Sequence, residues 1–330
     1  MGRYVDSLTH VGAFSGVVRV AKDGDVLFEQ AYGLAHRDPP IPTRSDTRFN
    51  LASIGKMFTA VAVLQLAEQG KLSLQDPIAK YLPGILPPEI GSKIRIAHLL
   101  THTSGLGDFT QEPFADDDPR SWRDDLRHLR GAALESEPGT GWAYSNAGYL
   151  LLGAVVENVS GEDFHDYLRR HVYEPAGMNT AGEFSVDQLP PNTATGYTEE
   201  KCEGGTRLVS VYRGPSRGGP AGGNFASATD LHRFAQALLK GRLLRPETVR
   251  EMLSPRPELN SPRYGYGVQL FGTSGSDVGH SGGAPGMNNY LRVRLDQGYV
   301  FVALSNTDTG GRLAIRKIAE LASPPDRDGN

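Results

Sequence analysis

Residues 15–21 alternate apolar and polar positions and are rich in β-branched side chains. Asp23-Gly24 offers a tight turn, and residues 25–32 return as a second strand. A helix is predicted over residues 53–69, where Ile54, Met57, Phe58, Ala60, Val61, Val63, Leu64 and Leu66 cover nearly the whole circumference. Such a helix should be buried all round, and Gly70 is placed to stop it. From Asp76 to about Arg213 prolines punctuate short helical stretches, predicted over 96–100, 122–134, 147–158 and 164–172. Few segments there alternate, and the Glu/Gly-rich residues 199–203 read as a loop. The Gly/Pro-rich residues 213–224 lead into Ser227-Ala228-Thr229-Asp230, a capping box opening a helix that runs to Leu239. Strand patterning returns over 264–271, around His280, and over 290–295 and 299–304, the last two joined across Gln297-Gly298. A helix over 311–321 closes the pattern.

A hairpin first and a meander last predict one sheet built from both ends of the chain. The expected fold class is α/β, of the α+β kind, with an antiparallel sheet flanked by helices. The expected organisation is a sheet domain over 1–75 and 225–330 and an inserted, mostly helical lobe over 76–224, with the active site between them. The chain has 330 residues, 38% hydrophobic and 22% charged, enough to bury a sizeable core. Its longest apolar stretches, 61–66 and 149–156, fall far short of a membrane span. The net charge of −4 leaves no basic surplus to displace counterions from a nucleic acid, and no polybasic run suggests a membrane surface. A lone cysteine, Cys202, permits no intramolecular disulfide and no thiolate metal cluster. The N-terminus has no charged segment followed by an apolar one, so the expected location is the cytoplasm, or the periplasm or exterior for a chain already trimmed of a leader.

Three short motifs carry candidate chemistry. Ser53-Ile54-Gly55-Lys56 opens the buried helix, and positions three apart share a helical face, so the Lys56 amine can reach the Ser53 hydroxyl. A helix N-terminus favours a developing oxyanion, and burial among apolar neighbours favours a neutral amine that can act as a base. Tyr144-Ser145-Asn146 precedes an apolar helix: a phenol there can relay a proton, and an amide can fix a lysine or bind a carbonyl. His280-Ser281-Gly282-Gly283 lies in the strand-rich region, where glycines let a substrate approach the chain closely. Read singly, each motif also fits an ordinary role: a helix cap, a half-buried ring, a histidine in a turn.

In this order and at these separations, Ser-x-x-Lys, Tyr-x-Asn and His-Ser-Gly together resemble the signature motifs of the serine β-lactamase and penicillin-binding-protein superfamily. The similarity is to its class C-like branch, which includes D,D-carboxypeptidases, D-aminopeptidases and family VIII carboxylesterases. Leu99-Leu100-Thr101-His102-Thr103-Ser104-Gly105-Leu106, Asp76-Pro77-Ile78 and Gly222-Gly223 are also typical of it. The resemblance implies a β-lactamase/transpeptidase-like fold. It implies Ser53 as acylated nucleophile, Lys56 and Tyr144 sharing general-base and general-acid duty, and Asn146 positioning Lys56 and a substrate amide. His280 and Ser281 stand where many members carry lysine and threonine, and the backbone N–H groups of Ser53 and Gly283 are the implied oxyanion hole.

Histidine at 280 replaces a permanent cation with one expected to be near neutrality at pH 7, so capture of a substrate carboxylate should weaken or depend on pH. The resemblance, with histidine at this place, therefore implies cofactor-free hydrolysis of short esters, amides or peptides, D-residue peptides among them, through an acyl-enzyme, with slow β-lactam acylation. Efficient β-lactam hydrolysis and acyl transfer are alternatives on the same site, and a non-catalytic binding or assembly role is another. Every required side chain is present, which favours catalysis. Other features point nowhere further. His98 and His102 have the four-residue spacing of a zinc pair but no third ligand or adjacent glutamate. Asp116-Asp117-Asp118 reads as a solvated loop, and residues 214–223 lack the Lys-Ser/Thr ending of a phosphate loop. Trp122, Trp142, Tyr149 and Phe225 are read as core or rim packing that can border a pocket.

Overall fold

A computed structural model describes residues 1–107, 121–202, 205–211, 217–272 and 275–322. The expected loop at Asp116–Asp118, and residues 212–216 of the Gly/Pro-rich loop, lie outside these residues. Six strands form the main sheet: β1 (Gly16–Lys22), β2 (Asp25–Tyr32), β3 (Gln269–Phe271), β4 (Asp277–Ala284), β5 (Met287–Arg294) and β6 (Tyr299–Ser305). Their order is β2-β1-β6-β5-β4-β3 and every pairing is antiparallel. Both chain ends therefore supply the sheet, as the alternating segments predict. β1 pairs with β6 from Gly16 opposite Ser305 to Lys22 opposite Tyr299.

Both faces of this sheet are covered, and β6 shows it residue by residue. Phe301 and Ala303 face the terminal helices α1 (Gly2–His10) and α6 (Gly310–Leu321), packing with Val5, Phe14, Ile315 and Ile318. Val300, Val302 and Leu304 point the other way, into the larger core. There they meet α2 (Gly55–Glu68) and α5 (Ala228–Leu239), whose predicted capping box is present: Asp230 N–H donates to Ser227 Oγ, and Ser227 N–H donates back to Asp230 Oδ2. All of α2 except Gln65, Ala67 and Glu68 is buried, and Gly70, at φ 70°, follows its end.

The segments between are helical, as expected, with α3 (Ile96–Leu100) and α4 (Asn146–Ser160) the best matches to the predicted spans. Three expectations need correction. The helix over 122–134 is only Trp122–Asp125 followed by the 3₁₀ turns Leu126–Gly131. Residues 199–203 are not simply a loop: Gly196–Cys202 pairs with Gly205–Val211 as a hairpin, and Cys202 is exposed at its end. Residues 264–268 are not strand, because a left-handed turn at Gly267 (φ 72°) bends the chain before β3. Among the described residues no helix is long and apolar enough to cross a membrane.

Candidate active site

Ser53 lies in a 3₁₀ turn, Ala52–Ile54, that leads directly into α2, so it stands at the mouth of that helix rather than within it. Ala52 is held at φ 47°, a left-handed conformation that alanine adopts at a cost. The turn is pinned on all sides. Ala52 N–H donates to Asn50 Oδ1 (3.0 Å), Leu51 N–H to the Asn224 carbonyl (2.7 Å), and Asn289 Nδ2 to the Asn50 carbonyl (2.8 Å).

Two glycines allow other segments to close on it. A Cβ at Gly222 would sit 2.4 Å from the Ala52 oxygen, and one at Gly282 would sit 2.0 Å from the Leu51 oxygen. Gly282 thus lets β4 lie against the Ser53 turn. A Gly282→Ala variant is expected to lose about 2–3 kcal/mol of stability, because backbone must separate from backbone to admit the methyl group. Chemical denaturation checks this, with an unchanged midpoint as the contrary result.

Lys56 is fully buried one turn into the chain from Ser53. Its Nζ lies 3.3 Å from Ser53 Oγ, 2.7 Å from Asn146 Oδ1 and 2.6 Å from the Ala221 carbonyl. Nζ thus donates to two carbonyl oxygens while lying within hydrogen-bond distance of the serine. Asn146 is the first residue of α4, whose N-cap is Ser145: its Oγ accepts from Gly148 N–H at 3.2 Å. The half-buried Tyr144 precedes that cap, and its ring centroid lies 4.8 Å from Lys56 Nζ. The pairs Ser53/Lys56 and Tyr144/Asn146, some 90 residues apart in sequence, are therefore brought together around Lys56 Nζ.

The β4 residues behave differently from one another. Ser281 is half-buried, and both its N–H and its Oγ–H donate to Gln269 Oε1 at 2.9 Å, leaving the hydroxyl oxygen able to accept. Gly283 is exposed next to Gly282, and a Cβ there would make ordinary contact at 4.0 Å with Asn288 Nδ2 and the Met287 oxygen. His280 is completely buried. Its Nδ1 donates to the Ser281 carbonyl (2.6 Å), so Nε2 accepts from the Tyr264 hydroxyl (2.8 Å). Burial first, and the Lys56 charge second, hold this imidazole down at about 3. It is neutral at pH 7 and far from titrating there, so the expected pH-dependent charge at position 280 is absent.

Ser53 and Asn146 border a cavity of about 210 Å³. Its walls are mostly apolar: Trp122, Leu150, Phe184, Val186, Phe225 and Met287. Among the described residues lining it, Asp125 is the one ionisable side chain and no lysine, arginine or histidine contributes. Trp122 and Phe225 thus do border a pocket. Tyr149 is instead buried below Lys56, with its hydroxyl donating to the Leu100 carbonyl, and Trp142 lies on the surface, 47% exposed. Ala221, Gln269 and Tyr264 were not singled out by sequence. A backbone carbonyl leaves no trace there, and the two side chains act only through contacts that folding creates.

The zinc spacing of His98 and His102 is taken up by backbone contacts: Arg95 N–H donates to His98 Nδ1 and Ser145 N–H to His102 Nδ1. Among the described residues no group of three or more histidine, cysteine or acidic side chains could hold a metal ion.

The chain is similar to several known proteins. Penicillin-binding protein 4* of Bacillus subtilis (strain 168) is 33% identical, over 93% of this chain and 72% of its own length. Esterase EstB of Burkholderia gladioli is 34% identical, over 76% of this chain and 73% of its own. The crystal structure of a penicillin binding protein from Bacillus halodurans superposes with a TM-score of 0.86 at 33% identity, covering 96% of this chain and 98% of that one. The family model described as Beta-lactamase matches residues 3–323. The chain belongs to the beta-lactamase family, within the wider group that holds penicillin-binding proteins and esterases.

Proposed function

We propose that the protein is a serine hydrolase that cleaves uncharged short-chain esters, and more slowly amides, through an acyl-enzyme on Ser53. The observation that carries this reading is the apolar cavity beside Ser53, together with a neutral His280 where a cation would otherwise meet a substrate carboxylate.

The short distances among Ser53, Lys56 and Asn146 support the following steps. In its unprotonated form Lys56, donating to Asn146 and Ala221, takes the proton of the Ser53 hydroxyl while Oγ attacks the substrate carbonyl carbon. The oxyanion formed is met by the backbone N–H groups of Ser53 and Gly283. As the tetrahedral intermediate collapses, the bond to the leaving oxygen or nitrogen breaks, and that atom receives a proton through Tyr144 from Lys56. Water then attacks the acyl carbon, giving a proton back along the same route, and the carboxylic acid leaves as Ser53 recovers its hydrogen. Asn146 holds Lys56 and offers its amide N–H to the substrate, and Ser281 offers a further polar contact.

Steady-state hydrolysis of p-nitrophenyl butyrate and of a carboxylate-bearing chromogenic cephalosporin tests the reading. Loss of one charge-assisted contact costs about 1.5–3 kcal/mol, so the ester should exceed the cephalosporin by about 10- to 100-fold in kcat/KM. A faster cephalosporin would overturn it. A second reading, amides of D-amino acids bearing a free ammonium group, draws support from Asp125 in the cavity wall. It predicts that a D-phenylalanine anilide outpaces the butyrate ester.

A further inference from the structure

A ring that this reaction scheme does not use lies directly behind Tyr144. His102 is 1% exposed and sits at φ 60°, a left-handed conformation rare for a bulky side chain. Strain of this kind persists only where the surroundings over-determine it, and here they do. The chain turns at the end of α3: Thr103 N–H donates to the His98 carbonyl (2.9 Å), and Ala143 N–H donates to the His102 carbonyl (2.9 Å). The turn throws the imidazole under the 144–146 segment. There Nδ1 accepts a hydrogen bond from Ser145 N–H (3.1 Å), and the ring face lies against Tyr144, with centroids 4.3 Å apart and planes inclined by 33°. Tyr149 (5.1 Å) and Tyr264 (4.7 Å) close around it.

Resting on the reading of Tyr144 given above, the geometry points to His102 as a positioning residue that fixes the Tyr144 phenol for proton transfer through one backbone hydrogen bond and one ring contact. The residue type fits this task better than phenylalanine or asparagine would. A phenylalanine would supply the ring but leave the buried Ser145 N–H without its acceptor. An asparagine would supply the acceptor, since its Oδ1 stands where Nδ1 does, and tolerates the left-handed backbone, but it has no ring. Histidine serves both only while neutral. Because Nδ1 faces an N–H donor, the ring proton is on Nε2, and a second proton would set two donors against each other. Burial and the charge of Lys56 act in the same direction, lowering its pKa well below the ordinary histidine value.

A double-mutant cycle tests the assignment, using p-nitrophenyl butyrate and the full chain. His102→Asn and His102→Phe are each expected to lower kcat by about 10- to 100-fold with KM changed less than about threefold, a range set by small misplacements of a reacting group. In a Tyr144→Phe background the same changes should cost less than about threefold, because the group they position is already gone. Equal losses in both backgrounds, or an effect confined to KM, would overturn the assignment while leaving the role of Tyr144 intact. A Tyr144→Phe enzyme with wild-type turnover would remove both together. Thermal unfolding of each variant separates loss of fold from loss of positioning. If one variant is unfolded at the assay temperature, the cycle is read from the other.

Discussion

Replacing Ser53 with alanine is expected to abolish turnover, lowering kcat/KM for every acyl substrate by about 10⁴-fold or more, with the fold unchanged. The magnitude follows from removing the atom that forms the covalent bond, which leaves only binding and the oxyanion site to act. Structural damage should be small. Ser53 is half-exposed, and its side chain makes one long contact, 3.3 Å to Lys56 Nζ, whose amine keeps its bonds to Asn146 and Ala221. The thermal midpoint should therefore move by no more than about 4 °C, the shift that about 1 kcal/mol produces in a protein of this size. Intact-mass labelling with a fluorophosphonate supplies the direct readout: one adduct on the wild type and none on the variant. Residual turnover above about one per cent in Ser53→Ala would move the nucleophile elsewhere, and an unlabelled wild type would favour a binding protein over an enzyme.

How far the sequence foretells this site depends on what each residue does. The helix beginning beside Ser53 and the burial of Lys56 are legible because Ser-x-x-Lys heads a segment apolar on all sides, leaving the lysine no solvent to reach, whereas the 3₁₀ turn that holds Ser53 is not. The sheet is legible because β1 and β6 are patterned to bury both faces against helices, while β2, a mostly exposed edge strand, is marked by the Asp23-Gly24 turn before it. The hairpin Gly196–Cys202 with Gly205–Val211 is not, since most of its residues are exposed and Thr198, Glu199, Glu200 and Lys201 carry no alternation. Residues 264–268 mislead for the opposite reason. Tyr264, Tyr266 and Val268 alternate and are buried at 2%, 5% and 0%, as in a strand, yet Gly267 turns left-handed between them. His102 stands out in sequence only in a phrase typical of the family and in a zinc-like spacing, because its contacts join a helix end to a segment some 40 residues away.

His280 shows the same limit in its electrostatics. A histidine in a strand beside glycines suggests a group titrating near pH 7, but whether it meets solvent depends on Tyr264 and Lys56, which only the fold brings to it. The consequence reaches beyond the active site. Buried neutral histidines make the folded state reluctant to bind protons that the unfolded chain binds readily.

That reluctance predicts a marked loss of stability on mild acidification. His280 is held at about 3 and His232 at about 4, against 6.5 for an unperturbed histidine, in each case chiefly by burial. His232 is 3% exposed, and its Nδ1 accepts from Arg19 Nε, whose charge opposes a proton on the ring. The folded pKa lies below the unfolded one, so the unfolded state takes up protons first. Stability from these groups is complete above pH 6.5 and declines as pH falls toward their folded values. Each should lose about 2 kcal/mol between pH 7 and pH 5, giving about 4 kcal/mol for the pair. His98, His102 and His165 are shifted the same way and add to the slope. Carboxylates held low, such as Asp76 at about 2 beside Lys80 and Tyr81, act in the same sense but only as pH drops through the acidic range, so the window from 7 to 5 isolates the histidines. Denaturant unfolding at the two pH values measures the difference, and a His232→Gln variant should remove about half of what the pair contributes. A flat profile would mean that these rings bind protons in the folded protein as freely as in the unfolded chain, and the neutral His280 on which the preference for uncharged esters rests would fall with it.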